Sequence, residues 1–160
     1  MKILFPRVED ERLLTGKGHF TSNINGPNFL HAVVLRSPHA FADILSIDVS
    51  LASEHSDVEA VYTYADLVAG GVKPLSFHDV LSDTSGHQIA SPTRYVLSRD
   101  QVRYVGEPVA LVIARTRAAA LDASELIQVN YAPRNGVCGV ERAIQKDAPQ
   151  LSQALYHMWV

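Results

Sequence analysis

The chain is short of cysteine, of net charge and of long apolar runs, and each shortage narrows what it can be. Its one cysteine, Cys138, excludes an internal disulfide and any cysteine-built zinc or iron–sulfur site. Lys and Arg number 14 against 17 Asp and Glu, a net charge of −3, which leaves no basic stripe for nucleic acid. No apolar stretch approaches the roughly 20 residues of a membrane span. Met1-Lys2-Ile3-Leu4-Phe5-Pro6 places too few apolar residues before its proline for a secretory signal. These features point to a cytoplasmic domain made without a targeting segment. The length of 160 residues suits one domain and excludes a multidomain enzyme built around a large cofactor. A chain of this size buries roughly 70% of its extended surface, so a core forms without staples.

The periodicities predict an α+β fold, with a mixed sheet and small helices. A short helix is expected from Val8 to Leu14, stopped by Gly16 and Gly18. Leu30 to Arg36 reads as a strand buried on both faces. Asp43 to Asp48 alternates, with Leu45 and Ile47 set between polar neighbours, and reads as a strand, and Val58 to Thr63 as one with Val58, Ala60 and Tyr62 on one side. Ser50 is a candidate N-cap. Thr63 and Asp66 have capping-box spacing ahead of a helix ended by Gly70-Gly71. Residues 72–94 show no period and suggest an interface loop or hidden short elements. Tyr95–Leu97 and Val102–Val105 suggest a hairpin around Arg99-Asp100. Gly106-Glu107-Pro108 turns into Val109–Ala114, a continuous apolar run expected to be a central strand. Thr116 caps a helix to Leu126 whose stripe is Ala119, Ala123, Leu126 and Ile127. Gln128–Tyr131 follows with Val129 and Tyr131 inward, completing a βαβ-like unit. Val140–Gln145 closes the list as a short helix.

No active site emerges from these residues. Of seven histidines, His31 lies in a predicted strand and His39 in the loop after it with no close third ligand, and no pair has the i,i+4 spacing of a zinc site. Ser37, His39 and Asp43 have the residue types of a hydrolytic triad but lie too near one another along the chain, without a nucleophile elbow. Gly16-Lys17-Gly18 is half a phosphate loop without a preceding strand. Glu107 is a lone carboxylate without a partner group. Cys138, between Val137 and Gly139, suggests a small buried apolar residue. Lys17, Lys73 and Lys146 lie in no setting suited to carrying a prosthetic group. The expected catalytic, cofactor-binding and metal residues are therefore none.

Several strings nevertheless resemble one family in order and spacing. Arg12-Leu13-Leu14-Thr15-Gly16-Lys17-Gly18-His19-Phe20 is similar to an opening of the molybdopterin-binding large subunit of the xanthine dehydrogenase/aldehyde oxidase (molybdenum hydroxylase) family. Leu30-His31-Ala32-Val33, Arg36-Ser37-Pro38-His39-Ala40 and Ile47-Asp48 continue the resemblance. Val102-Arg103-Tyr104-Val105-Gly106-Glu107-Pro108-Val109-Ala110 carries it most strongly, followed by Thr116-Arg117-Ala118-Ala119-Ala120, Val129 and Tyr131. The resemblance implies the α/β hammerhead domain of such an oxidoreductase over residues 1–151, with 152–160 a divergent tail. It implies a parent complex holding molybdenum with molybdopterin, [2Fe-2S] clusters and FAD. The implied partners are the rest of the large subunit and the iron–sulfur and flavin subunits. The pterin loops and catalytic glutamate of the family lie in a region without counterpart here, so Glu107 is not that glutamate. Ser22-Asn23 replaces a usual acidic pair, and Phe41 stands where a second histidine is common. Alone, the chain is expected to be inactive and to serve subunit docking. The other reading is a stand-alone interaction module that reuses the fold, with self-association open.

Overall fold

The computed structural model describes residues 7–24, 26–75 and 93–151. His78, His87 and the tail at 152–160 lie outside the described residues. An N-terminal arm carries α1 (Asp10–Leu14) and a 3-10 turn, Thr21–Asn23. The body then runs β1 (His31–Arg36), β2 (Ala42–Asp48), α2 (Ser50–Ser53), β3 (Val58–Tyr62), α3 (Tyr64–Ala69), β4 (Gln101–Val102), β5 (Pro108–Ala114), α4 (Arg117–Leu126), β6 (Gln128–Pro133) and α5 (Val140–Ala143). The α+β expectation holds. In place of one mixed sheet there are two three-stranded sheets, ordered β1-β5-β3 and β4-β2-β6, with antiparallel pairing throughout.

β5 is the central strand, as its continuous apolar run predicts. Alternation sends Ala110, Val112 and Ala114 into one cluster and Val109 into another. The first cluster lies under α4, where Ala119, Ala120 and Ala123 are buried; these methyl side chains let helix and sheet approach closely. The second joins Val109 to Ala42 and Val102. Ile47 and Val129 pack against both clusters, so they form the seam between the sheets.

Two β-bulges alter the faces predicted from strict alternation. β2 shifts register between Ile44 and Ser46, which turns Leu45 to solvent and leaves Ile44 and Ile47 inward. β3 shifts between Val58 and Ala60, so Val58 and Val61 face the core and Tyr62 does not. β1 is an edge strand and only half-buried, not buried on both faces. On α4 the buried set includes Ala120 and excludes Leu126, which is exposed. The βαβ-like unit also resolves differently: α4 carries the chain from β5 in one sheet to β6 in the other.

The local signals fare better. Thr116 Oγ1 accepts a hydrogen bond from the Ala119 amide at 3.1 Å, the expected N-cap. The Thr63 amide donates to Asp66 at 2.7 Å, as the capping spacing requires. Gly71, at φ +78°, follows α3, and the Val72 amide donates back to the Leu67 carbonyl at 2.9 Å. Ser50, in contrast, is the first helical residue rather than the cap; its amide donates to Asp48 Oδ1 at 2.9 Å. No hairpin forms around Arg99-Asp100, because Val102 pairs with Ala42 and the Ser98 amide donates to the Pro108 carbonyl at 2.8 Å. No helix among the described residues is long and apolar enough to cross a membrane.

Val112 is fully buried at the centre of the first cluster. A carboxylate there has neither water nor a partner, and its desolvation exceeds the roughly 5–15 kcal/mol that holds a domain folded. Val112→Asp is expected to abolish the cooperative thermal transition seen by circular dichroism; a folded, soluble variant would refute the central placement of β5.

Candidate functional site

The strings that carry the family resemblance meet where the chain changes sheets. Residues 37–41 lead from β1 to β2, and residues 103–107 lead from β4 to β5. These two crossings are bonded to each other. The Ser37 amide donates to the Glu107 carbonyl at 2.9 Å, and the Gly106 amide donates to the Ser37 carbonyl at 2.8 Å. Arg36 Nη1 donates to the Gly106 carbonyl at 2.8 Å.

The second crossing is a four-residue turn, Tyr104 to Glu107, closed by the Glu107 amide donating to the Tyr104 carbonyl at 3.2 Å. Gly106 takes φ +89° at its third position, where a type II turn needs positive φ. The Glu107 carboxylate accepts a hydrogen bond from the Arg103 amide, so this carboxylate has a structural partner. Arg103 Nε donates to the Leu151 carbonyl at 3.0 Å and ties the end of the described chain to the same turn.

The candidate triad does not assemble. Ser37 is only 2% exposed, and its Oγ donates to the His39 carbonyl at 3.1 Å while accepting from the His39 amide at 3.0 Å. The hydroxyl thus shapes the turn at Pro38. The His39 ring meets the Tyr131 ring edge-on, with centroids 4.8 Å apart. Burial raises the Tyr131 phenol, an effect partly offset by Ser37. Asp43 accepts from Gln101 Nε2 at 2.8 Å and from Arg134 Nε at 2.6 Å. Those two partners, Gln101 first, hold its carboxyl below the ordinary value against the opposing effect of burial.

The remaining candidates stay dispersed. His31 pairs across the sheet with Ala114. Gly16-Lys17-Gly18 ends α1, as the stop signal predicts, with Gly16 at φ +71°. Cys138 is exposed and not buried, because it lies in the irregular chain between β6 and α5. Lys73 borders a dimple of about 20 Å³ with Tyr64, Leu67 and Pro74, and Lys146 is exposed.

An open groove of about 860 Å³ runs beside the crossings, walled by Phe41, Tyr95, Arg99, Arg103, Tyr104 and Arg134 among others. Its cations are engaged. Arg99 pairs with Asp100 at 2.7 Å and lies over Tyr95; Arg134 pairs with Asp43 and lies over Phe41. Sequence reasoning gave Arg36 no bonding role and missed Arg134, whose partners Gly106 and Asp43 lie far along the chain and leave no local signal; it also missed Ser98, which bonds the Pro108 carbonyl ten residues on. Among the described residues no three His, Cys, Asp or Glu side chains come together to hold a metal, and every buried side-chain nitrogen or oxygen has a hydrogen-bond partner.

The family model for the aldehyde oxidase and xanthine dehydrogenase a/b hammerhead domain matches residues 15–135. The chain belongs to this family. It is 40% identical over 142 residues to the nicotine 6-hydroxylase large subunit of Paenarthrobacter nicotinovorans, covering 88% of this chain and 16% of that subunit. It is 37% identical over 147 residues to the carbon monoxide dehydrogenase large chain of Afipia carboxidovorans, covering 92% and 17%. The crystal structure of quinoline 2-oxidoreductase from Pseudomonas putida 86 superposes with a TM-score of 0.74 at 39% identity, covering 89% of this chain and 17% of that one. The hammerhead domain thus accounts for about a sixth of each relative's length. The strings around Ser37 and Gly106 are the bonded crossings of that domain.

Two predictions test the crossings. No atom lies within 4 Å of a Cβ built at Gly106, so substitution there reports backbone strain without a clash. Gly106→Val is expected to lower stability by about 1–3 kcal/mol, measured by urea unfolding, and an unmoved midpoint would contradict the turn. Asp43 has a depressed folded-state pKa, so its contribution is fully present above the ordinary value of 3.8 and disappears as pH falls through the lower folded value. Asp43→Asn is therefore expected to melt below the wild type at neutral pH, with the gap closing on acidification. A gap independent of pH would count against the Gln101 and Arg134 contacts.

Proposed function

We propose that this chain serves as the hammerhead domain of the molybdopterin-binding subunit of a xanthine dehydrogenase, aldehyde oxidase or carbon monoxide dehydrogenase-type oxidoreductase. In this reading its work is structural: it docks onto the polypeptide that holds the reaction centre. The observation that carries it is how the family strings are used. Arg36, Ser37, Gly106 and the Glu107 carbonyl are spent on hydrogen bonds that join two crossings, and the Arg103 and Glu107 side chains, which border the open groove, are already bonded to the Leu151 carbonyl and the Arg103 amide. The domain assignment extends over residues 1–151, with 152–160 a separate tail. Molybdenum with molybdopterin, [2Fe-2S] clusters and FAD belong, on this proposal, to the parent complex, and the partners are the remaining large-subunit polypeptide and the iron–sulfur and flavin subunits.

The purified chain is expected to contain no stoichiometric molybdenum by elemental analysis. It is expected to show no dye-linked oxidation of aldehydes, purines or carbon monoxide. Bound molybdenum with turnover would overturn the proposal.

A further inference from the structure

The N-terminal arm, residues 7–30, is shaped by its own bonds. The Lys17 amide donates to the Arg12 carbonyl at 2.9 Å across Gly16, which closes α1. A Cβ at Gly18 would lie 2.9 Å from Leu13 Cδ2 and 3.4 Å from the Phe20 ring, so the bare glycine lets those two side chains converge. The Phe20 amide donates to Asn23 Oδ1 at 3.1 Å, and Phe29 lies across Gly26 in the same close manner.

The arm nevertheless leaves its large apolar groups uncovered. Leu14 is 86% exposed, Phe20 61%, Ile24 64% and Phe29 53%, and α1 buries no residue. Scattered apolar residues need no explanation, but such a run on one locally structured segment marks a surface that another polypeptide covers. The family match begins at residue 15, so Phe20, Ile24 and Phe29 lie within it, and α1 with Leu14 immediately precedes it. The match covers 16% of one relative and 17% of another, so those proteins carry a much larger body of chain beside the same arm.

We infer that the arm is the docking surface for the remaining large-subunit polypeptide, with Leu14 and Phe20 as its anchors. This rests on the domain assignment proposed above and adds the surface through which it acts. The occupant is the bulk of a large subunit rather than a second copy of this chain, because the shared arm accompanies that bulk in the relatives.

The test uses the full chain and one probe: the Paenarthrobacter nicotinovorans nicotine 6-hydroxylase large subunit made without its own hammerhead stretch. The probe is first qualified by its capture of that stretch supplied separately. It is expected to capture this chain in a one-to-one complex on size exclusion. Leu14→Ser with Phe20→Ser is expected to weaken capture at least tenfold with the thermal midpoint unchanged. Leu45→Ser, on the exposed bulge of β2, is expected to leave capture intact. Capture that survives the double substitution would overturn the arm while leaving the domain assignment standing. No capture by the qualified probe would remove both. A dimer of this chain that the double substitution dissociates would give the arm to a second copy and overturn the inference.

Discussion

Ser37 is buried, and its backbone amide and carbonyl are satisfied by Glu107 and Gly106, about seventy residues later. A buried amide or carbonyl left unpaired costs about 1–3 kcal/mol. Neither crossing can therefore take its shape without the other. The first supplies Ser37 and the Arg36 guanidinium; the second supplies a glycine able to turn at positive φ and a glutamate whose carboxylate takes the Arg103 amide. The register of the first sheet depends on the same tie, since the shift between Leu35 and Arg36 sets Arg36 opposite Pro108. From there the two sheets diverge, and the clusters share only the seam around Ile47 and Val129.

That dependence accounts for how the strings that resemble the family are used in the fold. A serine, a histidine and an aspartate within seven residues invite a reaction, yet each is spent elsewhere. Ser37 bonds the His39 backbone, the His39 ring meets Tyr131, and Asp43 bonds Gln101 and Arg134. Glu107 holds a backbone amide, which fixes the carboxylate in the turn. These residues set geometry, because a hydrogen-bonded junction between sheets fixes the path of both crossings.

What was legible in the sequence was what local physics decides. Thr116, Thr63 with Asp66, Gly16 and Gly71 set helix ends through bonds that span three to five residues, and those readings agree with the structure. The continuous run of β5 identified the central strand. The faces of β2 and β3 were misread because a bulge inserts one residue into a period of two, and nothing at Leu45 or Glu59 announces it. The hairpin around Arg99-Asp100 failed for a different reason: Val102 has a distant partner, Ala42, that outcompetes the near one. Of the site, the turn at Gly106 could be read locally. Its bond to Ser37 and the reach of Arg134 to Asp43 could not, since each joins residues far apart in the chain.

The distribution of satisfied and unsatisfied surface makes the same point about function from physical chemistry. Arg99 and Arg134 along the groove are paired and stacked, so a ligand drawn there by charge would have to break existing contacts before making new ones. The apolar side chains of the arm have no such competing partner among those contacts, and covering them removes water from carbon at a gain of roughly 25 cal/mol per Å². Among the described residues the buried polar side chains are already bonded, while the apolar side chains of the arm stand exposed. On the proposed reading a domain built this way serves a reaction by holding other polypeptide in place, and its two bonded crossings fix the frame from which the arm extends.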